Sequence, residues 1–413
     1  MIVALKEEIN VHMETITSLQ SSPNDGGDCT GLHDDPNSSK PEVPCCAGLK
    51  KALNNWDGRW YYRCENPCWD VVCDEKEVLF TKVENHTKYA CGKATYEHER
   101  NTLVCYPRTG KYTPKTHLPV VFYNRDSNGW LDPNKTYPNE SWKNKIDPGN
   151  RKWLKTMAEQ CLITIAPMTQ EKGNKKGTID HDLCNQNHDS LLAYEFLKNK
   201  TDPGWEKWGI TSDVKPDWNR IAAAGLSAGG HHTPSLQMLF GQEHDIKMKA
   251  VLIGHGGSKD KKEALPGKYK SDLVRCLKKG NGKWCDDVPA LFLTATDDTT
   301  VNYTHTENWY KILTGQKTPN SRAHVQNAVY AQVKTGNHLE PTDPARGIFN
   351  DYSARFLACH LYKDEKKIPE VSKEACAWIY GGLGKKNICN SAEVKALALD
   401  TVHLFYNGAE MCM

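Results

Sequence analysis

Gly225-Leu226-Ser227-Ala228-Gly229 is the stretch of this 413-residue chain best equipped for covalent chemistry. It follows the apolar run Ile221-Ala222-Ala223-Ala224 and precedes Gly230-His231-His232-Thr233. A serine between a buried strand and a helix, with glycines two residues to either side, sits on a sharp turn that lifts its hydroxyl clear of the sheet. The incoming strand and outgoing helix then pass so closely that those flanking positions must lack bulk, which Gly225 and Gly229 satisfy. The helix starting at Ala228 directs backbone N–H groups at the same point, and these favour a developing oxyanion. A serine hydroxyl is a weak nucleophile. It needs an adjacent base, and the base needs a group to orient it.

Both partners have candidates downstream. Pro289-Ala290-Leu291-Phe292-Leu293-Thr294-Ala295 reads as a short buried strand, and it ends in Thr296-Asp297-Asp298-Thr299-Thr300-Val301. A carboxylate just past a strand's C-terminal end lies on the edge where open α/β sheets build their sites. Val329-Tyr330-Ala331-Gln332-Val333 alternates as a strand does. It runs into Thr335-Gly336-Asn337-His338-Leu339-Glu340-Pro341, a loop with a single histidine. The chain order is therefore serine, acid, histidine. Ser227 as nucleophile, His338 as base and an Asp at 297 or 298 as its orienter would carry out acyl transfer.

Further elements must position these groups. Leu118 to Tyr123 reads as a strand, and a helix from Asn150 carries Trp153, Leu154, Met157 and Ala158. Cys161 to Pro167 reads as the next strand, and a helix near Asp189 places Leu192 and Phe196 at i and i+4. The serine strand and helix follow, then a strand at Lys249 to Ile253. Past the acid strand comes a helix with Trp309 and Leu313 on one face. Past the histidine strand, Ile348, Tyr352 and Phe356 stand at helical spacing. Strands alternating with helices predict a mostly parallel central sheet covered on both faces.

Composition narrows the function classes. With 38% hydrophobic residues the chain can bury a large core. Lys and Arg (53) nearly balance Asp and Glu (51), so nothing points to nucleic acid or an anionic membrane surface. The apolar runs fall far short of the ~20 residues that span a bilayer. Sixteen cysteines point to an oxidising compartment. Six N-x-S/T sequons, at Asn37, Asn85, Asn134, Asn139, Asn199 and Asn302, point to a glycoprotein of the secretory pathway. No signal peptide is visible in Met1 to Glu8.

Three regions are expected. Residues 1–40 read as disordered, with Ser21 to Asp28 composed of linker types. Residues 41–110 hold seven cysteines, Cys45, Cys46, Cys64, Cys68, Cys73, Cys91 and Cys105. They read as a small disulfide-stapled module, the alternative being a metal site at the short Cys64, Cys68, Cys73 spacing. Trp56, Trp60, Tyr61, Tyr62 and Trp69 fill a small core there or form a binding face. Residues 111–413 form the catalytic domain.

From residue 116 to 380 the chain resembles the α/β-hydrolases. It is nearest the single-domain esterases related to dienelactone hydrolase, chlorophyllase and cutinase-like polyester hydrolases. Leu118 to Tyr123, Leu162 to Pro167, Gly225 to Gly230, Asp298 with Val301, and Asn337-His338 carry the resemblance, together with Glu374 to Gly381. It implies an α/β-hydrolase fold, a Ser227-His338-Asp298 triad and an acyl-enzyme intermediate. Asp298 rather than Asp297 matches the family's acid-x-x-Val spacing to Val301. The family also implies an oxyanion hole of two backbone N–H groups, here Ala228 and Arg125. The latter stands in Asn124-Arg125-Asp126-Ser127, where relatives carry a His-Gly or Pro-Gly turn. Chlorophyllase-type elbows resemble G-H-S-R-G-G. Leu226 and Ala228 depart from that pattern.

Trp130 and His255 are expected at the pocket, although Trp130 could equally be core. His231 and His232 are expected to cap the first turn of the serine helix rather than bind metal. Cys276 with Cys285, Cys359 with Cys376 and Cys161 with Cys184 are candidate disulfides, since connectivity does not follow from spacing alone. No cofactor or metal is implied. The expected partner is a small-molecule or polymeric ester, cleaved by a monomeric serine carboxylesterase. The other readings are a polyester, lipid or pigment esterase and a catalytically silent fold used for binding. The lack of a long hydrophobic lid insertion favours small or exposed esters.

Overall fold

The computed structural model describes residues 50–56, 59–65, 68, 71–83, 96–107, 117–124, 148–167, 179–198, 214–257, 272–278, 282–316, 322–333, 338, 348–362, 375–376, 379, 399–406 and 409–412. In chain order these form β1 (Lys50–Trp56), β2 (Arg59–Glu65), β3 (Val71–Val83), β4 (Tyr96–Pro107), β5 (Leu118–Asn124), α1 (Pro148–Glu159), β6 (Ile163–Pro167), α2 (Ile179–Lys198), β7 (Pro216–Leu226), α3 (Ala228–His244), β8 (Ala250–Gly254), α4 (Asp272–Lys278), β9 (Ala290–Ala295), α5 (Tyr303–Leu313), β10 (Ala328–Val333), α6 (Ile348–Tyr362), β11 (Leu399–Tyr406) and β12 (Ala409–Cys412). The expected disordered segment 1–40 lies outside the described residues.

One sheet of ten strands carries the site, in the order β12-β11-β10-β9-β8-β7-β5-β6-β4-β3. Strands β6, β5, β7, β8, β9 and β10 pair parallel with one another in that order. Strands β3 and β4 at one edge, and β11 and β12 at the other, pair antiparallel. Every residue of β5, β6, β8, β9 and β10 is buried, as expected for parallel strands covered on both faces. Trp153 of α1, Phe240 of α3, Trp309 of α5 and Phe356 of α6 all join the same core. The architecture is the α/β-hydrolase arrangement, a mostly parallel sheet with flanking helices.

The local reasons are simple. Ala222, Ala223 and Ala224 leave β7 slender at the middle of the sheet, where α3 lies against it. Asn302 caps α5, its side-chain oxygen accepting from the Thr304 backbone N–H at 3.0 Å. Among the described residues, no helix is long and apolar enough to cross a membrane.

Several boundaries differ from expectation. Helix α2 begins at Ile179, ten residues before Asp189, because its polar first turns hide the apolar period. Strands β3 and β4 fall inside the cysteine-rich segment, yet β4 pairs with β6 of the main sheet. The 41–110 boundary therefore cuts through the sheet. The charged run Asp74-Glu75-Lys76-Glu77 in β3 does not read as a strand, but an edge strand accommodates such charges. Strands β1 and β2 form a separate antiparallel pair.

Four disulfides join described residues: Cys68–Cys161, Cys73–Cys105, Cys276–Cys285 and Cys359–Cys376. Two match the expected pairs. The third does not, since Cys161 bonds Cys68 rather than Cys184. The reason is topological. The pairing of β4 with β6 brings the residues preceding β3 against the start of β6, where Cys68 and Cys161 are both buried.

The bridges close loops of very different length, 93 residues for Cys68–Cys161 and 9 for Cys276–Cys285. Loop-closure entropy then predicts that replacing both cysteines of the long bridge by Ala costs ~4–5 kcal/mol, against ~2–3 kcal/mol for the short one. Urea unfolding of the two double variants checks the order. Equal losses, or a larger loss at Cys276–Cys285, would contradict it.

Candidate active site

Ser227 stands between the end of β7 and the start of α3, with φ 55° and ψ −119°. That positive φ is a strained backbone for a residue with a side chain. The turn is held from below, the Ser227 N–H donating to the Gly254 carbonyl at 2.7 Å and the His231 N–H to the Ser227 carbonyl at 2.9 Å. Gly225 is required because a Cβ there would stand 2.4 Å from the Gly229 backbone. Gly230 is required too, since its Cβ would meet the Gly254 carbonyl oxygen at 2.6 Å. The close approach at the elbow is thus between β7, α3 and the end of β8.

A serine at an N-cap ordinarily turns its hydroxyl back onto the helix. Ser227 makes no such bond. Its Oγ lies 2.5 Å from His338 Nε2 instead. On the other side of the ring, His338 Nδ1 lies 2.8 Å from Asp298 Oδ2. Since a carboxylate only accepts, Nδ1 carries the hydrogen and Nε2 is left to accept from the serine hydroxyl. All three residues are buried to within 10% of full exclusion from solvent.

Asp298, not Asp297, makes this contact; Asp297 is exposed. The other oxygen of Asp298 accepts from the backbone N–H groups of Thr300 at 2.8 Å and Val301 at 2.9 Å. The acid-x-x-Val spacing thus has a physical content, because the valine amide three residues on holds the carboxylate in place. Burial alone would raise the proton affinity of Asp298. The hydrogen bonds from His255, His338 and the Val301 amide outweigh it and hold the carboxyl well below its ordinary value.

His255 is the second imidazole on this carboxylate. Its Nδ1 lies 2.5 Å from the same Oδ2. The ring is fully closed off from solvent, so the expected place on an open pocket wall gives way to one behind the acid. Burial lowers its proton affinity, partly offset by the hydrogen bond and charge of Asp298, so the ring is neutral at neutral pH. The four side chains come from the ends of β7, β8, β9 and β10, which lie side by side in the sheet.

Sequence reasoning did not find a polar group beside the elbow. Asn124, at the end of β5, pairs with Gly225 in register. Its Nδ2 donates to Asn187 Oδ1 at 2.6 Å, and Ser190 Oγ donates to its Oδ1 at 3.2 Å. Asn187 Nδ2 in turn donates to the His232 carbonyl at 3.4 Å. These bonds tie β5 and α2 to the first turns of α3. The only sequence signal was a polar residue closing an apolar strand beside the Gly225 turn.

His231 contacts the Gly257 carbonyl through Nδ1 at 3.0 Å and stacks on Trp309, and His232 is nearly buried beside it. Neither belongs to a cluster of metal-ligating type among the described residues. The one such cluster is His255, Asp298 and His338, with its ligand atoms within 4.8 Å of one another. Two tetrahedral zinc ligands at ~2.0–2.1 Å from the ion stand ~3.3 Å apart. The 2.5 and 2.8 Å contacts here are those of N–H···O bonds and leave no room between them. Arg125 and Trp130 lie outside the described residues. Ala228 is the first residue of α3, where helical N–H groups lack an intrahelical partner.

No protein-family model matches the chain, and no curated protein matches it. Among solved structures it is similar to a proposed dienelactone hydrolase from Klebsiella pneumoniae, at 11% sequence identity and a TM-score of 0.39, covering 76% of this chain and 99% of that one.

Two predictions follow from this geometry. Gly225→Ala forces a Cβ into the α3 backbone, where no flexible side chain can yield. Thermal unfolding should show a loss of several kcal/mol or no folded protein, as for other severe steric insertions. A wild-type melting temperature would contradict the close approach.

The second concerns pH. The folded state holds the Asp298 carboxyl below its unfolded value of 3.8, so this group stabilises the fold above that pH. The contribution is lost as pH falls. His255 acts in the same direction in a higher window, because the unfolded chain takes up its proton first, from 6.5 downward. Urea unfolding should therefore weaken progressively from neutral pH into acid. Asp298→Asn should flatten the portion below ~4, the ordinary carboxylate range. The same acid slope in both proteins would contradict the assignment.

Proposed function

We propose that this chain is a serine carboxylesterase that works through an acyl-enzyme intermediate, with residues 111–413 as its catalytic unit and strands β3 and β4 completing the sheet. The observation that carries the reading is the hydrogen-bonded relay from Ser227 Oγ to His338 Nε2 and from His338 Nδ1 to Asp298 Oδ2.

His338 takes the serine proton as Ser227 Oγ bonds to the ester carbonyl carbon. Asp298 keeps the imidazole in the tautomer that accepts at Nε2 and stabilises its charged form. The negative oxygen of the tetrahedral intermediate faces the Ala228 N–H at the start of α3. Arg125 supplies the second N–H in this reading, each donor contributing ~3–4 kcal/mol to the transition state. Collapse breaks the bond to the alkoxy oxygen, and His338 returns its proton to the departing alcohol. Water then attacks the acyl-serine by the same base, releasing the acid and restoring Ser227. The disulfides and the sequons fit a glycoprotein of an oxidising secretory compartment.

The test is hydrolysis of p-nitrophenyl acetate, butyrate and palmitate by wild type, Ser227→Ala, Asp298→Asn and Asp297→Asn. Ser227→Ala should remove turnover. Asp298→Asn should lower kcat by ~10⁴, the loss seen when a triad acid leaves histidine in the wrong tautomer. Asp297→Asn should stay near wild type. Turnover that survives Ser227→Ala would sink the proposal.

A further inference from the structure

His255 combines three features that are each unfavourable for a histidine. Its backbone is left-handed, with φ 45°. Its ring is wholly excluded from solvent. Its Nε2 has no hydrogen-bond partner among the described residues. An apolar residue would avoid the last cost and glycine all three, so the position needs an interaction that offsets them. The one present is the 2.5 Å contact of Nδ1 with Asp298 Oδ2.

The loop that delivers this ring is clamped on every side. The His255 N–H donates to the Leu293 carbonyl at 2.8 Å, anchoring it to the acid strand β9. Thr306 of α5 donates to the Gly256 carbonyl at 2.7 Å, and His231 of α3 holds the Gly257 carbonyl. A Cβ at Gly256 would stand 2.5 Å from the Gly230 backbone. The loop is thus seated against the elbow helix and cannot swing the ring away from Asp298 without moving the nucleophile's own support. Among the described residues, the titratable groups that meet the ring are Asp298 and His338, whose ring centroid lies 5.4 Å away.

We propose that His255 is a positioning residue for the triad acid: its Nδ1–H donates to the Asp298 oxygen that also receives His338, fixing that carboxylate so that His338 presents Nε2 to Ser227. A buried carboxylate has about four acceptor positions. Two face the Thr300 and Val301 amides, and the two imidazoles occupy the other oxygen. With His255 in place no rotation of Asp298 improves its hydrogen bonding. Without it Oδ2 has one donor, and the carboxylate is both less fixed and more basic. The inference rests on the triad reading above.

The experiment compares wild type, His255→Ala, His255→Asn and Ser227→Ala on p-nitrophenyl acetate, with kcat, KM, the pH profile of kcat/KM and the melting temperature of each. Asn suits a left-handed backbone and keeps an N–H donor near the Nδ1 position. His255→Ala should lower kcat ~10–100-fold, by analogy with supporting hydrogen bonds behind metal-ligating side chains, with KM little changed. Its acid limb should move to higher pH, because the more basic carboxylate lets the coupled acid–imidazole pair take up a proton sooner. His255→Asn should recover most of kcat and restore the limb. If His255→Ala does not fold, His255→Leu takes its place.

A folded donor-less variant with wild-type kcat and an unmoved acid limb overturns the inference and leaves the triad intact. So does an Asn variant as impaired as the donor-less one, which marks a packing role alone. Turnover that survives Ser227→Ala overturns the triad reading and this inference together.

Discussion

The Asp298 carboxylate is a charge held out of water, and this edge of the sheet is organised around keeping it satisfied. An isolated buried carboxylate would take up a proton instead of remaining charged. Here four N–H groups meet it: two amides from its own turn and two imidazoles from the loops on either side. Asp298 follows β9, His255 follows β8 and His338 follows β10, so the charge bridges three adjacent strand ends. Ser227 joins through His338 from the fourth. Removing the charge would leave two buried imidazoles without an acceptor, which is why its effect reaches beyond one residue.

The second constraint is steric. Strand β7 and helix α3 meet at a turn where Gly225 faces the Gly229 backbone and Gly230 faces the Gly254 carbonyl. The alanines of β7 let the sheet remain thin under this turn, and the fully buried strands on either side give it a rigid floor. The strained φ of Ser227 is tolerated because the hydrogen bond from its N–H to Gly254 and the packing around it leave no alternative. The same Gly254 leads directly into His255. Ser227 and the imidazole behind Asp298 are therefore both fixed by one short stretch of chain.

Much of this was legible in the sequence where the signal is local. The elbow, the acid strand and the histidine strand each announce themselves within ten residues, and the Asp298 to Val301 spacing reflects a turn that the backbone amides close. What sequence could not carry is long-range. His255 meets Asp298 across 43 positions, and Gly254-His255-Gly256-Gly257 says only that a loop is there. The Asn124–Asn187 bond and the Cys68–Cys161 bridge likewise depend on which strands become neighbours. The edge strand β3 was missed for a different reason, since an edge permits charges that a central strand excludes.

The most direct test of the central claim is intact-mass spectrometry of the protein after reaction with diethyl p-nitrophenyl phosphate, followed by peptide mapping, for wild type and His338→Ala. The account predicts one diethylphosphoryl group per chain on Ser227, formed with release of one p-nitrophenolate, and loss of that labelling when His338 is removed. A label on another residue, or equal labelling of Ser227 without His338, would contradict it.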